Sequence, residues 1–118
     1  MRFLIIDDSA VDRRFLKSLL EALGHQVDAC ESTSGVIEKL ATGKYASVFL
    51  DIVMPEQDGY KFLRRLRSNQ STASQHVIFY SSKKTLVEIN YGLNRTGAND
   101  YLTKPTNRER LEQALQKI

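Results

Sequence analysis

Short apolar runs alternate with longer segments of helical periodicity along the whole chain, and this alternation restricts the fold more than any other feature. Phe3 to Ile6 is too short for a helix and is closed by two acids, so it reads as a strand. Ser9 can then cap a helix over 10–23, where Val11, Phe15, Leu16, Leu19, Leu20 and Leu23 recur at helical spacing up to the stop at Gly24. Gln26 to Cys30 is a second strand. Ser32 or Ser34 can cap a second helix with Val36, Ile37 and Leu40 inward, closed by Gly43. Ser47 to Leu50 is a third strand, ending at Asp51. A turn through Met54-Pro55-Glu56-Gln57-Asp58-Gly59 follows. Asp58 can cap a third helix, with Tyr60, Phe62, Leu63 and Leu66 along it and Arg64, Arg65 and Arg67 mostly outside. Asn69 to Gln75 is a polar loop, expected to be mobile.

The second half repeats the pattern. Val77 to Tyr80 is a β-rich strand ending in Ser81-Ser82. A helix over 85–95 has Leu86, Ile89 and Leu93 as its core face and Gly97 as its stop. Tyr101-Leu102 mark a last strand, ending in Thr103-Lys104-Pro105. The final helix runs from about Asn107 to Ile118, with Leu111, Ala114, Leu115 and Ile118 inward. Strict strand–helix alternation implies an α/β fold: a parallel sheet with helices on both faces. Right-handed crossovers put every strand's C-terminus on one edge, outside which ligands of open α/β sheets bind.

At 118 residues the chain is expected to be one domain, 1–118, with no output domain after the last helix. It has a single cysteine, Cys30, so no internal disulfide can form. No apolar run approaches the roughly 20 residues needed to span a membrane. The acids at Asp7 and Asp8 come too early for a signal peptide, and a cytoplasmic location is expected. The net charge of +3 is spread over Arg13, Arg14, Lys17, Arg64, Arg65, Arg67, Arg108 and Arg110, each sharing its segment with an apolar stripe. These read as solvated helix faces, with an acidic partner surface as the main other reading; neither direct nucleic-acid binding nor membrane association is expected.

Chemistry collects at the common strand edge. The first strand delivers Asp7-Asp8, the third Asp51, the fourth Ser81 and the fifth Lys104. An isolated carboxylate closing an apolar strand loses hydration, so Asp51 wants a cation or donors. Three carboxylates in one place must protonate, splay apart or hold a cation. Neither His25 nor His76 ends a strand, and Cys30 ends only the second, so the side-chain ligands are hard oxygens that select Mg²⁺ or Mn²⁺ over zinc. A lysine, a hydroxyl and a hard cation together suit a phosphoryl group, and a carboxylate can itself be the nucleophile.

These elements, in this order, resemble the response-regulator receiver domain of two-component signalling systems, the CheY-like fold. The match covers the whole length: Asp7-Asp8, Asp51 with Met54-Pro55 and Asp58-Gly59, Ser81, and Lys104-Pro105. The resemblance implies a doubly wound, flavodoxin-like five-stranded parallel sheet of order 2-1-3-4-5 with five flanking helices. Asp51 would be the phosphoacceptor. Asp8 would bind Mg²⁺ (or Mn²⁺) directly, Asp7 partly through water, and the Val53 backbone carbonyl would be a further ligand. Ser81, with Ser82 as the alternative, would hydrogen-bond the phosphoryl group, Lys104 would pair with it, and the Lys104–Pro105 peptide would be cis. Tyr101 would be the aromatic that turns inward on phosphorylation. Val53 and Lys83 would flank the path of the hydrolytic water. The donor would be a histidine kinase or phosphotransfer protein. A downstream protein would read the face made by the fourth helix, fifth strand and fifth helix, and phosphorylation-dependent homodimers are compatible with the pattern. Such a domain is no enzyme beyond its self-catalysed phosphorylation and dephosphorylation.

Three other readings use the same fold or chemistry. A haloacid-dehalogenase-like phosphatase has its nucleophile on the first strand and a second Asp two residues later, whereas Asp7 and Asp8 are adjacent and residue nine is Ser. A flavodoxin-like cofactor binder needs a phosphate-cradling loop after the first strand, where Asp7-Asp8-Ser9 would repel phosphate. A receiver-like docking module that is never phosphorylated would not need all five site elements.

Overall fold

The computed structural model describes residues 1–55 and 58–118; Glu56 and Gln57 of the turn expected after Asp51 lie outside the described residues. Ten elements alternate: β1 (Arg2–Ile6), α1 (Ala10–Ala22), β2 (Gln26–Cys30), α2 (Val36–Leu40), β3 (Ser47–Leu50), α3 (Gly59–Ser68), β4 (Val77–Ser81), α4 (Leu86–Arg95), β5 (Asp100–Thr103) and α5 (Arg108–Leu115). All strand pairs are parallel and the order is β2-β1-β3-β4-β5. The order reverses between β1 and β3, where a ligand site of a doubly wound sheet is expected.

Both faces of the sheet are covered, so β3 and β4 are buried at every residue. Alternate side chains divide between two cores. Leu4, Ile6, Val48, Leu50, Val77 and Phe79 pack with Leu40, Phe62, Leu63 and Leu66 on the side of α2, α3 and α4. Phe3, Ile5, Phe49, Ile78 and Tyr80 pack with Leu16, Leu20, Leu111 and Ala114 on the side of α1 and α5. Burying one such Leu or Phe is worth about 1.5–3 kcal/mol, which makes these two layers the main source of stability.

Three helix starts follow the expected chemistry. Ser9 accepts from the Asp12 N–H at 3.2 Å, Asp58 from Lys61 at 2.8 Å and Asn107 from Arg110 at 2.9 Å. Thr85 forms a full capping box with Glu88. Neither Ser32 nor Ser34 caps α2. Its N-cap is Gly35 at φ 71°, a left-handed conformation that glycine adopts without a Cβ penalty.

Several expected inward faces are narrower than their periodicity suggested. Val11 is 73% exposed and Leu86 78%, while Phe15 and Ile118 also reach solvent. Val11 and Leu86 sit in the first turns of their helices, where the described residues leave them open to solvent. On α4 the buried residue is Gly92; an added Cβ there would stand 3.0 Å from the Tyr101 ring. Arg67 departs from its expected outward place. It is half-buried and its guanidinium donates to the carbonyls of Gly97, Ala73 and Gln75 and to Asn99 Oδ1. Those bonds tie the 69–75 loop, together with the buried Thr72 hydroxyl, which donates to Leu66 at 2.7 Å. The loop is therefore anchored at its middle and at its C-terminal end.

Candidate functional site

The C-terminal ends of β1, β3 and β5 deliver Asp7, Asp51 and Lys104 to one place. Backbone bonds continue the sheet just past the strands and fix these positions: Asp7 N–H to Cys30 O at 3.1 Å, Asp51 N–H to Ile6 O at 3.0 Å, and Lys104 N–H to Ser81 O at 2.8 Å. Below Asp51, Gly59 N–H donates to Ile52 O at 2.7 Å. A Cβ on Gly59 would stand 2.5 Å from Asp51 O and 2.9 Å from Ile52 Cα, so only glycine lets α3 start this close to the Asp51 backbone.

Asp7, Asp8 and Asp51 each offer one carboxylate oxygen, and these atoms lie within 4.8 Å of one another. Asp7 and Asp51 are buried and Asp8 is exposed. Two like charges at that distance repel by about 3 kcal/mol at an effective dielectric of 20. Two donors hold Asp7 and Asp51 in place: Ser9 N–H to Asp7 Oδ1 at 2.9 Å and Val53 N–H to Asp51 Oδ1 at 3.4 Å. Arg13 donates to the Asp7 carbonyl at 2.6 Å.

Lys104 is the cation inside this group. Its Nζ lies 2.7 Å from Asp7 Oδ2, 2.9 Å from Asp12 Oδ2 and 3.6 Å from Asp51 Oδ2. It also sits 5.5 Å over the Tyr80 ring. Burial works against the ammonium, but the carboxylates of Asp7, Asp12 and Asp51 outweigh it and hold its pKa above the ordinary lysine value. Burial and the neighbouring Asp7 charge push Asp51 the other way from a usual carboxylate, up to about 6, against the pull of Lys104 and the Val53 N–H. Asp51 is therefore mostly ionised at neutral pH and more basic than an exposed aspartate.

The donor set fits a hard divalent cation. An octahedral ion with oxygens at about 2.1 Å spans about 4.2 Å between opposite ligands. Three carboxylate oxygens within 4.8 Å can reach such an ion with small adjustments, leaving positions for a backbone carbonyl and water. The charge also fits, since Asp7, Asp8, Asp12 and Asp51 outnumber the one ammonium set among them.

The other expected residues are placed as follows. Ser81 is the last residue of β4, fully buried, and its hydroxyl accepts from Lys83 N–H at 3.3 Å; Ser82 is exposed. The Lys104–Pro105 peptide is cis. Tyr101 is buried, at 9% exposure. Its hydroxyl donates to Lys83 O at 2.6 Å, and burial pushes its pKa up to about 12. Val53 is 56% exposed beside Asp51. Lys83 does not lie free: its Nζ pairs with Glu88 at 3.5 Å.

Asp12 was not anticipated. Three residues after the Ser9 cap, it is an acid in the first turn of α1 and complements the helix N-terminus. Yet the same position, one turn above the sheet edge, also brings its carboxylate to Lys104.

Comparisons with known proteins agree with this geometry. The family model described as "Response regulator receiver domain" matches residues 3–116. Protein PilH of Pseudomonas aeruginosa is 36% identical over 110 residues, covering 93% of this chain and 90% of PilH. Protein PilG of the same organism is 33% identical over 111 residues, covering 94% of this chain and 82% of PilG. Among solved structures, a putative response regulator from Chloroflexus aurantiacus superimposes with a TM-score of 0.88 at 23% identity, over 98% of this chain and 94% of that one; at that identity it speaks for the fold alone.

Proposed function

Because the chain belongs to the response regulator receiver domain family, whose members are signalling phosphoacceptors rather than conventional enzymes, we propose that it is a phosphorylation-dependent switch with Asp51 as the acceptor. One observation carries this reading: the buried Asp51 carboxylate shares its pocket with Asp7, Asp8 and the Lys104 ammonium at the C-terminal edge of the sheet.

In this reading the donor is a histidine kinase or a phosphotransfer protein, and the location is cytoplasmic. An Asp51 oxygen forms a bond to phosphorus as the bond from phosphorus to the donor's imidazole nitrogen breaks. The imidazole leaves with that electron pair, and an acyl phosphate remains. Bound Mg²⁺, or Mn²⁺ in its place, neutralises charge on the transferring oxygens. Asp7, Asp8, Asp51 and the Val53 carbonyl would hold it. Lys104 pairs with one phosphoryl oxygen and the Ser81 hydroxyl donates to another. Asp51 can react because at neutral pH it is ionised, above its raised pKa of about 6.

A phosphoryl group adds about −1.5 to −2 charges. Drawing Ser81 and Lys104 toward it pulls the loops after β4 and β5. Tyr101 bonds the first of these loops through Lys83, so the change passes to α4. There Leu86 and Val87 are nearly four-fifths exposed, which supports a downstream protein docking on the face of α4, β5 and α5. Phosphorylation-dependent self-association through that face belongs to the same reading.

The test is exposure to acetyl phosphate with Mg²⁺, followed by borohydride trapping and mass spectrometry. Label on Asp51 is expected in the wild type and none in Asp51→Asn. Label that persists in Asp51→Asn would place the acceptor elsewhere.

A further inference from the structure

The Lys104 ammonium has three N–H donors, and two carboxylates take two of them at short distance: Asp7 at 2.7 Å and Asp12 at 2.9 Å. Asp51 stands further off at 3.6 Å. Asp12 is outside the Asp7–Asp8–Asp51 cluster and has no part in the phosphoryl transfer described above. Its side chain is 38% exposed and belongs to the first turn of α1, not to a strand end.

We propose that Asp12 is a positioning residue that holds the Lys104 ammonium on the α1 side of the pocket and competes for it with a phosphoryl group on Asp51. The inference rests on Asp51 being the acceptor. A cation held by Asp7 would compete with the ammonium for that carboxylate, and Asp12, outside the cluster, would keep its hold on it. The Lys104 backbone is pinned by Ser81 O at 2.8 Å, but its four-carbon stem lets Nζ swing from Asp12 toward Asp51 without moving the strand. The exchange is unequal. A doubly charged phosphoryl group attracts the ammonium more than a half-exposed, solvent-screened carboxylate does. Asp12 therefore does not block the switch. It raises the donor level at which the switch turns on.

Its charge can be removed without disturbing the helix cap, because Ser9 is bonded by the Asp12 backbone N–H and not by its side chain. The test uses beryllofluoride, which binds an aspartate oxygen and mimics the phosphoryl group, titrated at fixed Mg²⁺ and followed by amide NMR. Five proteins are compared with the wild type: Asp12→Asn, Asp12→Glu, Lys104→Ala, and Lys104→Ala combined with each of the two Asp12 changes. Asp12→Asn is expected to tighten binding by about two- to fivefold, the range of a part-exposed ion pair. Asp12→Glu restores the carboxylate and is expected to return affinity toward the wild-type value. In the Lys104→Ala background neither Asp12 change should matter.

Equal affinity in wild type and Asp12→Asn overturns the proposal, as does weaker binding in Asp12→Asn. So does an equal tightening in the Lys104→Ala background, which would mean that Asp12 acts through its field and not through the lysine. A wild type that takes up no beryllofluoride overturns the acceptor assignment together with this one. Binding in the wild type without any Asp12 effect overturns this one alone.

Discussion

The Tyr101 hydroxyl donates to the backbone carbonyl of Lys83 at 2.6 Å, joining β5 to the loop that leads from Ser81 into α4. The ring itself packs against Phe79 and lies over Gly92, where an added Cβ would come within 3.0 Å of it. Tyr101→Phe keeps the packing and removes the bond. We expect a loss of about 0.5–1.5 kcal/mol in denaturant unfolding, with amide shifts concentrated around Lys83. Gly92→Ala tests the same contact from the other side. A helix interior gains about 1 kcal/mol from Gly→Ala, but here the new methyl presses on the ring. Stability close to wild type with the Lys83 amide displaced is the expected result. Unchanged Lys83 shifts in both variants would show that the bond does not couple the strand to the loop.

Gly59 is the more severe position. The atoms an added Cβ would meet, Asp51 O at 2.5 Å and Ile52 Cα at 2.9 Å, are backbone and cannot rotate away. Gly59→Ala is expected to cost about 1–3 kcal/mol, in the range of other overpacked sites, and to shift Asp51. Unfolding curves and acetyl phosphate labelling rates measure the two effects. A variant with wild-type stability and labelling would mean that the start of α3 has more freedom than the contact allows.

Much of this arrangement was legible in the chain. β1, β3 and β5 end where their apolar runs meet Asp7, Asp51 and Lys104, because a buried parallel strand must change character where it leaves the sheet. Burial along the helices was less legible. Periodicity marks one stripe of a helix but not how far the sheet beneath it extends, so Leu86 and Ile118 fall on inward stripes yet reach solvent, as does Val11. Arg67 was read as outward because a guanidinium suggests solvent, yet free carbonyls at Gly97, Ala73 and Gln75 draw it in. Asp12 escaped for a related reason. An acid in a first helical turn has a sufficient local explanation, and its partner is 92 residues away in sequence.

The pH dependence follows from Asp51. Its pKa in the folded chain, about 6, lies above its ordinary value of 3.8 because of burial and the Asp7 charge. Between those two pH values the folded state binds more protons than the unfolded one, so stability falls as pH rises through this window. Lys104 is raised from an ordinary value of 10.5, so its contribution is present throughout the window and is lost only in strong alkali. In EDTA, Asp51→Asn is expected to be more stable than wild type at pH 7.5 by on the order of 1–3 kcal/mol, after some loss of the Lys104 attraction. The gain should shrink toward pH 4. Mg²⁺ binds the ionised carboxylate, so its affinity should weaken as pH drops below about 6, by up to about tenfold per unit. Calorimetric titration at pH 7.5 and 5 measures this, and equal affinity at both would contradict the raised pKa.

The lifetime of the phosphorylated form depends on what stands beside the route of the attacking water. Hydrolysis needs a water in line with the bond from phosphorus to the Asp51 oxygen. Val53 and Lys83, two residues beyond Asp51 and Ser81, are the side chains expected to flank that route. Val53 is exposed and apolar, so it can neither donate to a water nor accept from one. Lys83 is engaged elsewhere, with its ammonium 3.5 Å from Glu88 and its carbonyl bonded by Tyr101. Neither side chain orients a water, and slow self-dephosphorylation is the expected outcome. Val53→Asn supplies an amide at the one open position and should shorten the lifetime severalfold. Lys83→Ala should change it little, because the lysine is held by Glu88. The measurement is decay of the phosphorylated protein after rapid removal of acetyl phosphate, in each single variant and in Val53→Asn with Lys83→Glu. If the double variant decays no faster than the wild type, water positioning does not set the lifetime, and the contact of Lys104 with the phosphoryl oxygens becomes the feature to test.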